Sequence, residues 1–92
     1  MTMTDMFTTI EKVYAIVADV LEVPHDKLSR DCEFIADLGA DQLDLLEIAT
    51  LCKQAFRIDI PQKDLERLTT VGLLSDYVLY FIESERQAYD YD

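Results

Sequence analysis

The chain has little with which to build a disulfide framework or a metal centre. Its 92 residues include two cysteines and one histidine. Cys32 and Cys52 lack CxxC spacing and His25 has no second histidine, so neither a disulfide scaffold nor a metal site is expected, and both thiols read as reduced and structural. Basic side chains are scarce too. Eight lysines and arginines stand against 19 acidic residues, giving a formal charge of −11 and a pI near 4.2. Such a surface repels phosphate backbones and anionic headgroups, which excludes nucleic acid and membranes as main partners and leaves basic protein surfaces or cations. No apolar run approaches the roughly 18 residues of a membrane span. The opening MTMTDMFTTIEK has neither a basic region nor a continuous apolar stretch, so a cytoplasmic location is expected. β alternation, internal repeats and low-complexity tracts are also lacking.

What is present is helical periodicity. The 50% hydrophobic content is too high for a disordered acidic segment and suits one domain with one modest core. From Thr4 to Val23, Met6, Ile10, Val13, Tyr14, Val17, Val20 and Leu21 follow the spacing of one helical face. Thr4 or Asp5 is expected to cap this helix and Pro24 to end it. The stretch from Pro24 to Ala40 shows no period and reads as a long loop pinned by Leu28, Phe34, Ile35 and Leu38. A second helix is predicted after a cap at Asp41, with Leu43, Leu46, Leu51 and Phe56 facing inward, fading near Arg57. A short helical piece over Gln62–Leu68 follows. Thr69 or Thr70 then caps a last helix whose stripe is Val71, Leu74, Tyr77, Val78, Phe81 and Ile82. Its end, ESERQAYDYD, is expected to fray. The fold class is therefore all-α, a bundle of three main helices plus one short helix. The domain is placed at 1–85 and a flexible acidic tail at 86–92.

The segment DLGADQLDLLE, from Asp37 to Glu47, is followed by Phe56, Ile60, Pro61, Thr69, Thr70, Val71, Gly72 and Tyr77. Together these residues resemble the acyl carrier protein family, and the resemblance runs roughly from Phe7 to Ile82. It implies a four-helix carrier that holds acyl groups as thioesters on a 4′-phosphopantetheine arm, in fatty-acid or polyketide synthesis, and is not itself an enzyme. The family signature at the start of the second helix is D-S-L-D, and here Gln42 stands where the family has serine. Attachment needs a hydroxyl that attacks the β-phosphate of coenzyme A, and a carboxamide, its nitrogen lone pair delocalised, cannot replace it. No cofactor is expected, and the arm is expected only if position 42 is natively serine.

Other positions lean the same way. Lys53 and Arg57 occupy the far half of the second helix, which in many members is acidic. Leu65 and Leu74 sit where members often have smaller cavity-lining residues, and they are expected to fill volume an acyl chain would take. Residues 22–47 hold eight acids against Lys27 and Arg30, a net −6 of the total −11. First-turn carboxylates ordinarily serve as caps and dipole partners, which accounts for Asp41, Asp44 and Glu47 but not for the five acids before them. Asp37, Asp41, Leu43, Asp44 and Glu47 are the candidate docking residues, facing a basic surface of an acyl-processing or related protein. A calcium loop starting at Asp37 fails, because Gly39, Gln42 and Ile48 fall where an oxygen ligand, glycine and glutamate are required. The expectation is a binding module without its arm, monomeric in isolation. Two alternatives stay open: a working carrier whose serine was replaced at position 42, and a structural or regulatory subunit of a larger complex.

Overall fold

The computed structural model describes residues 3–91, and side chains over residues 6–83. Helix α1 spans Met3–Leu21, α2 Gln42–Phe56, α3 Gln62–Leu65 and α4 Val71–Tyr91, with a single 3-10 turn at His25–Lys27 between α1 and α2. This is the all-α arrangement of three main helices and one short one. Among the described residues the only β pairing is an isolated antiparallel bridge between Glu33 and Thr70.

The core forms where three apolar stripes meet. Val13 and Val17 of α1, Ile48 and Cys52 of α2, and Val71, Leu74 and Val78 of α4 are all essentially sealed from water. Ile10, Tyr14, Val20 and Leu21 flank the α1 stripe half-buried, while Tyr77, Phe81 and Ile82 extend that of α4. Ser75, the buried polar residue on α4, donates its hydroxyl to the Val71 carbonyl at 3.0 Å and so leaves no orphaned group in the core.

Several boundaries differ from the sequence reading, each for a local reason. Helix α1 is already helical at Met3, and the side chains of Thr4 and Asp5 lie outside the described residues. It ends at Leu21, not at Val23. Glu22 turns left-handed at φ 54° and the Val23 amide returns to the Ala18 carbonyl at 3.1 Å, a Schellman reversal that precedes Pro24. Helix α3 closes at Leu65, three residues short of the expected Leu68. The backbone of α4 stays helical to Tyr91, where fraying was expected. The proposed tail, 86–92, falls among side chains outside the described set.

The segment expected to be a long loop pinned by apolar side chains is such a loop, with the 3-10 turn inside it, and it is also tied to the head of α4 by its own backbone. The Phe34 amide donates to Thr69 O at 3.0 Å, Val71 N to Cys32 O at 3.1 Å, and Gly72 N to Arg30 O at 2.9 Å. These last two bonds satisfy two of the four free amides at the head of α4. A third, Leu73 N, goes to the Thr70 hydroxyl at 3.1 Å, and Leu74 N makes the first ordinary helical bond to the Thr70 carbonyl, also at 3.1 Å. Gly72 permits the close approach, since a Cβ there would lie 2.9 Å from the Arg30 carbonyl oxygen. The Arg30 guanidinium adds a two-pronged pair with Asp76 at 2.8 and 3.0 Å, which holds the Asp76 carboxyl below its ordinary range. Leu28 and Phe34 are buried beneath this segment as expected, whereas Ile35 is 66% exposed. Residues 34–38 form a turn, with Asp37 N returning to Glu33 O at 3.0 Å and Gly39 N to Ile35 O at 3.2 Å, and on it Phe34 faces the core while Ile35 faces outward.

Candidate functional site

The head of α2 is fixed by a reciprocal cap. Asp41 is extended, and its carboxylate accepts from the Asp44 amide at 2.9 Å, while Asp44 Oδ2 accepts from the Asp41 amide at 3.1 Å. Gln42 is thereby the first residue of the helix, exposed, with its side chain at the edge of a cleft. Asp37 also has a local task, accepting from the Glu33 amide at 2.8 Å and closing the turn before Gly39. Gly39 takes the left-handed φ of 71° that returns the chain to buried Ala40. Three of the five candidate docking residues, Asp37, Asp41 and Asp44, are thus hydrogen-bonded to backbone while lying at or near the surface.

The apolar phase of α2 is a correction. Leu43 and Leu46, expected to face inward, are 75% and 40% exposed, and the buried positions are Ile48 and Cys52 with Leu45, Leu51 and Phe56 partly covered. Helix α2 is apolar on more than one side. The row at 45, 48, 52 and 56 has the three-and-four spacing of a single face and packs against the valines of α1 and α4. Leu43 and Leu46 are left on the outer face with exposed Glu47 one turn on from Leu43.

That outer face borders a cleft of about 360 Å³ between the 33–35 segment, α2 and the α3 region. Its apolar wall is Phe34, Ile35, Leu45, Leu46, Leu65 and Leu68, and its polar rim Gln42, Gln62, Glu33, Glu66 and Thr69. Both charged residues that line it are carboxylates. A second hollow of about 190 Å³ shares Leu46, Gln62 and Leu65 with the first and continues along α2 to Lys53 and Asp59. Leu65 and Leu74, expected to fill volume an acyl chain would take, are both buried. Leu65 forms wall and leaves the cleft open, and Leu74 packs in the core at 1% exposure, outside the lining. Sequence reading missed the cleft because its walls come from three segments that share no period; the unpaired apolar dipeptide Phe34–Ile35 was the available signal.

Tyr77 holds the α3 wall in place. Its hydroxyl donates to Asp64 Oδ2 at 2.8 Å, with the Asp59 carbonyl 3.5 Å away. Helix α3 has four residues, too few to persist without such an anchor. At the far end of α2, Arg57 is the left-handed C-cap, its amide on Lys53 O at 2.8 Å, and the Lys53 ammonium lies 3.9 Å from Asp59 on the surface. Lys53 thus has a nearby carboxylate for its charge, whereas the role of Arg57 here belongs to its backbone.

Nucleophilic chemistry is poorly supplied here. Gln42 carries no hydroxyl. The Thr50 hydroxyl on α2 donates to Leu46 O at 2.9 Å, Ser29 sits beside Cys32 at 3.5 Å, and Thr69, which shares the cleft rim with Gln42, belongs to the segment joining α3 to α4 and not to α2. Burial pushes the Cys52 thiol up to about 12, so it stays protonated and inert. Cys32 is half-buried. Residues of this kind do not fit a phosphopantetheine ester at the head of α2. Among the described residues no group of three or more histidine, cysteine, aspartate or glutamate side chains is placed to hold a metal ion, and no helix is long and apolar enough to cross a membrane.

The arrangement described above, with three long helices, a short one, a tethered loop and a capped α2 bordering an apolar cleft, has a counterpart among known families. A family model described as phosphopantetheine attachment site matches residues 11–78, from α1 to Val78 of α4. Covering well over half of the chain, this match shows that the protein belongs to the phosphopantetheine-attachment family, the acyl carrier proteins.

Proposed function

We propose that this protein is a carrier-fold binding module that works without a prosthetic arm. It docks through the turn at Asp37 and the head of α2 (Asp41, Leu43, Asp44 and Glu47) on a basic surface of an acyl-processing protein in fatty-acid or polyketide metabolism. It performs no chemistry of its own. The observation that carries this reading is Gln42 as the first residue of α2, inside an intact cap. A carboxamide there supplies neither the oxygen nucleophile nor the transferable proton that attachment consumes. The frame around it supports retained docking, since eight acids against two bases lie within residues 22–47. The test is intact-mass measurement after incubation with coenzyme A and a broad-specificity transferase, with Gln42→Ser in parallel. The unaltered chain is expected to keep its mass and Gln42→Ser to gain the arm. A gain on the unaltered chain overturns the reading.

A further inference from the structure

We infer that the cleft beside Gln42 receives an apolar side chain from a basic helical segment of the partner, so that a protein side chain serves as its occupant. This rests on the docking reading above and names the chemistry of what docks. Two large apolar side chains, Leu46 and Ile35, line this opening while standing exposed, and Leu43, next in sequence to Gln42 of the lining, is exposed as well. Asp37, Asp41, Asp44 and Glu47 lie in the segments that carry them, and Glu33 and Glu66 line the cleft itself. An apolar centre with a charged rim is the anatomy of a protein interface.

The rim also discriminates between occupants. A free fatty acid or another anionic amphiphile would bring its head group against Glu33 and Glu66 with no cation in the lining to receive it. A cationic segment meets the opposite condition. The volume of about 360 Å³ lies near the lower end of the roughly 300–1,000 Å³ of small-molecule sites, room for one or two large side chains and not for a folded element. The second hollow shares Leu46 and Leu65 with the first and follows it along α2. Consecutive hollows on one helix suit anchors one turn apart on an amphipathic helix, with lysine or arginine between them facing the acids.

The test uses the unaltered protein and two amidated lysine–alanine peptides of about 15 residues, long enough for helix formation, one with a central phenylalanine and one with alanine there. Amide resonances are followed by NMR titration at low salt. The phenylalanine peptide is expected to shift the amides of Phe34, Leu45, Leu46 and Leu65 and to bind about ten- to a hundredfold more tightly than its alanine counterpart. Equal binding of both peptides overturns the cleft proposal and leaves electrostatic docking standing. Failure of both peptides to bind removes the docking reading as well. If dodecanoate shifts the same amides at lower concentration than the phenylalanine peptide, the cleft is a small-molecule site and the proposal falls.

Discussion

Replacing Tyr77 by phenylalanine removes one oxygen, yet it tests how the cleft keeps its wall. The hydroxyl donates to Asp64 at 2.8 Å, and α3 has no comparable side-chain tie to α4 among the described residues. At neutral pH the loss of one part-buried hydrogen bond to a carboxylate is expected to cost about 1 kcal/mol. A second signature lies in the pH dependence. Burial, reinforced by the bond to Asp64, pushes the Tyr77 hydroxyl up to about 12 from an ordinary 10.0. In the unfolded chain the phenol gives up its proton near pH 10 while the folded one keeps it, so the folded state binds more protons between these values. Stability is then whole below about pH 10 and falls as pH rises toward 12. A gap of that size is worth at most about 2–3 kcal/mol, and partial exposure of the ring screens it to about 1 kcal/mol. Urea unfolding followed by helical circular dichroism at about pH 7, 9 and 11 measures both proteins. The stability difference between them is expected to narrow toward zero at the alkaline end, because every other titrating group is common to both. Hydrogen exchange at the Leu65 and Glu66 amides, bonded to Pro61 O and Gln62 O at 2.9 and 3.0 Å, is expected to quicken in Tyr77→Phe. A constant difference across the pH series, with unchanged exchange at those amides, refutes the assignment of Tyr77 as the anchor of α3.

Other expectations follow from single contacts. Asp41→Ala removes the carboxylate that caps α2 and is expected to cost about 1 kcal/mol, lowering Tm by about 4–8 °C in a thermal melt. Asp44→Ala added to it is expected to cost less than its own single effect, because the two side chains form one reciprocal box. Gly72→Ala drives a methyl group toward the Arg30 carbonyl at 2.9 Å and is expected to destabilise by about 1–3 kcal/mol in urea unfolding. Alkylation with iodoacetamide at neutral pH, mapped by peptide mass, is expected to mark Cys32 first and leave Cys52 untouched in the folded protein, its thiol sealed and held near 12.

Much of this fold is legible from side-chain chemistry that acts locally. The α2 boundary is readable because Asp41 and Asp44 stand at cap spacing, and the α4 stripe because Val71, Leu74 and Val78 recur on one face. The phase of α2 is not readable from the helix alone. Leu43, Leu45, Leu46, Ile48 and Leu51 offer two competing faces, and the valines of α1 and α4 decide between them. The order in the 24–40 segment escapes pattern reading for another reason. It rests on backbone bonds from Phe34, Val71 and Gly72, groups that every sequence possesses, and on the missing side chain of Gly72. The end of α1 is similar, since Glu22 adopts a left-handed turn that proline-based reasoning places two residues too late. Of the candidate site, position 42 and its flanking acids are visible in the residues themselves. The cleft they border is a tertiary product.

The central claim is that this carrier fold functions without its arm. Its most direct measurement is the intact mass of the protein isolated from the cells that make it, with fragment ions covering Asp41–Leu43. The expected result is the mass of the bare sequence with an unmodified Gln42. A mass increased by a phosphopantetheinyl group, on any residue, contradicts the claim.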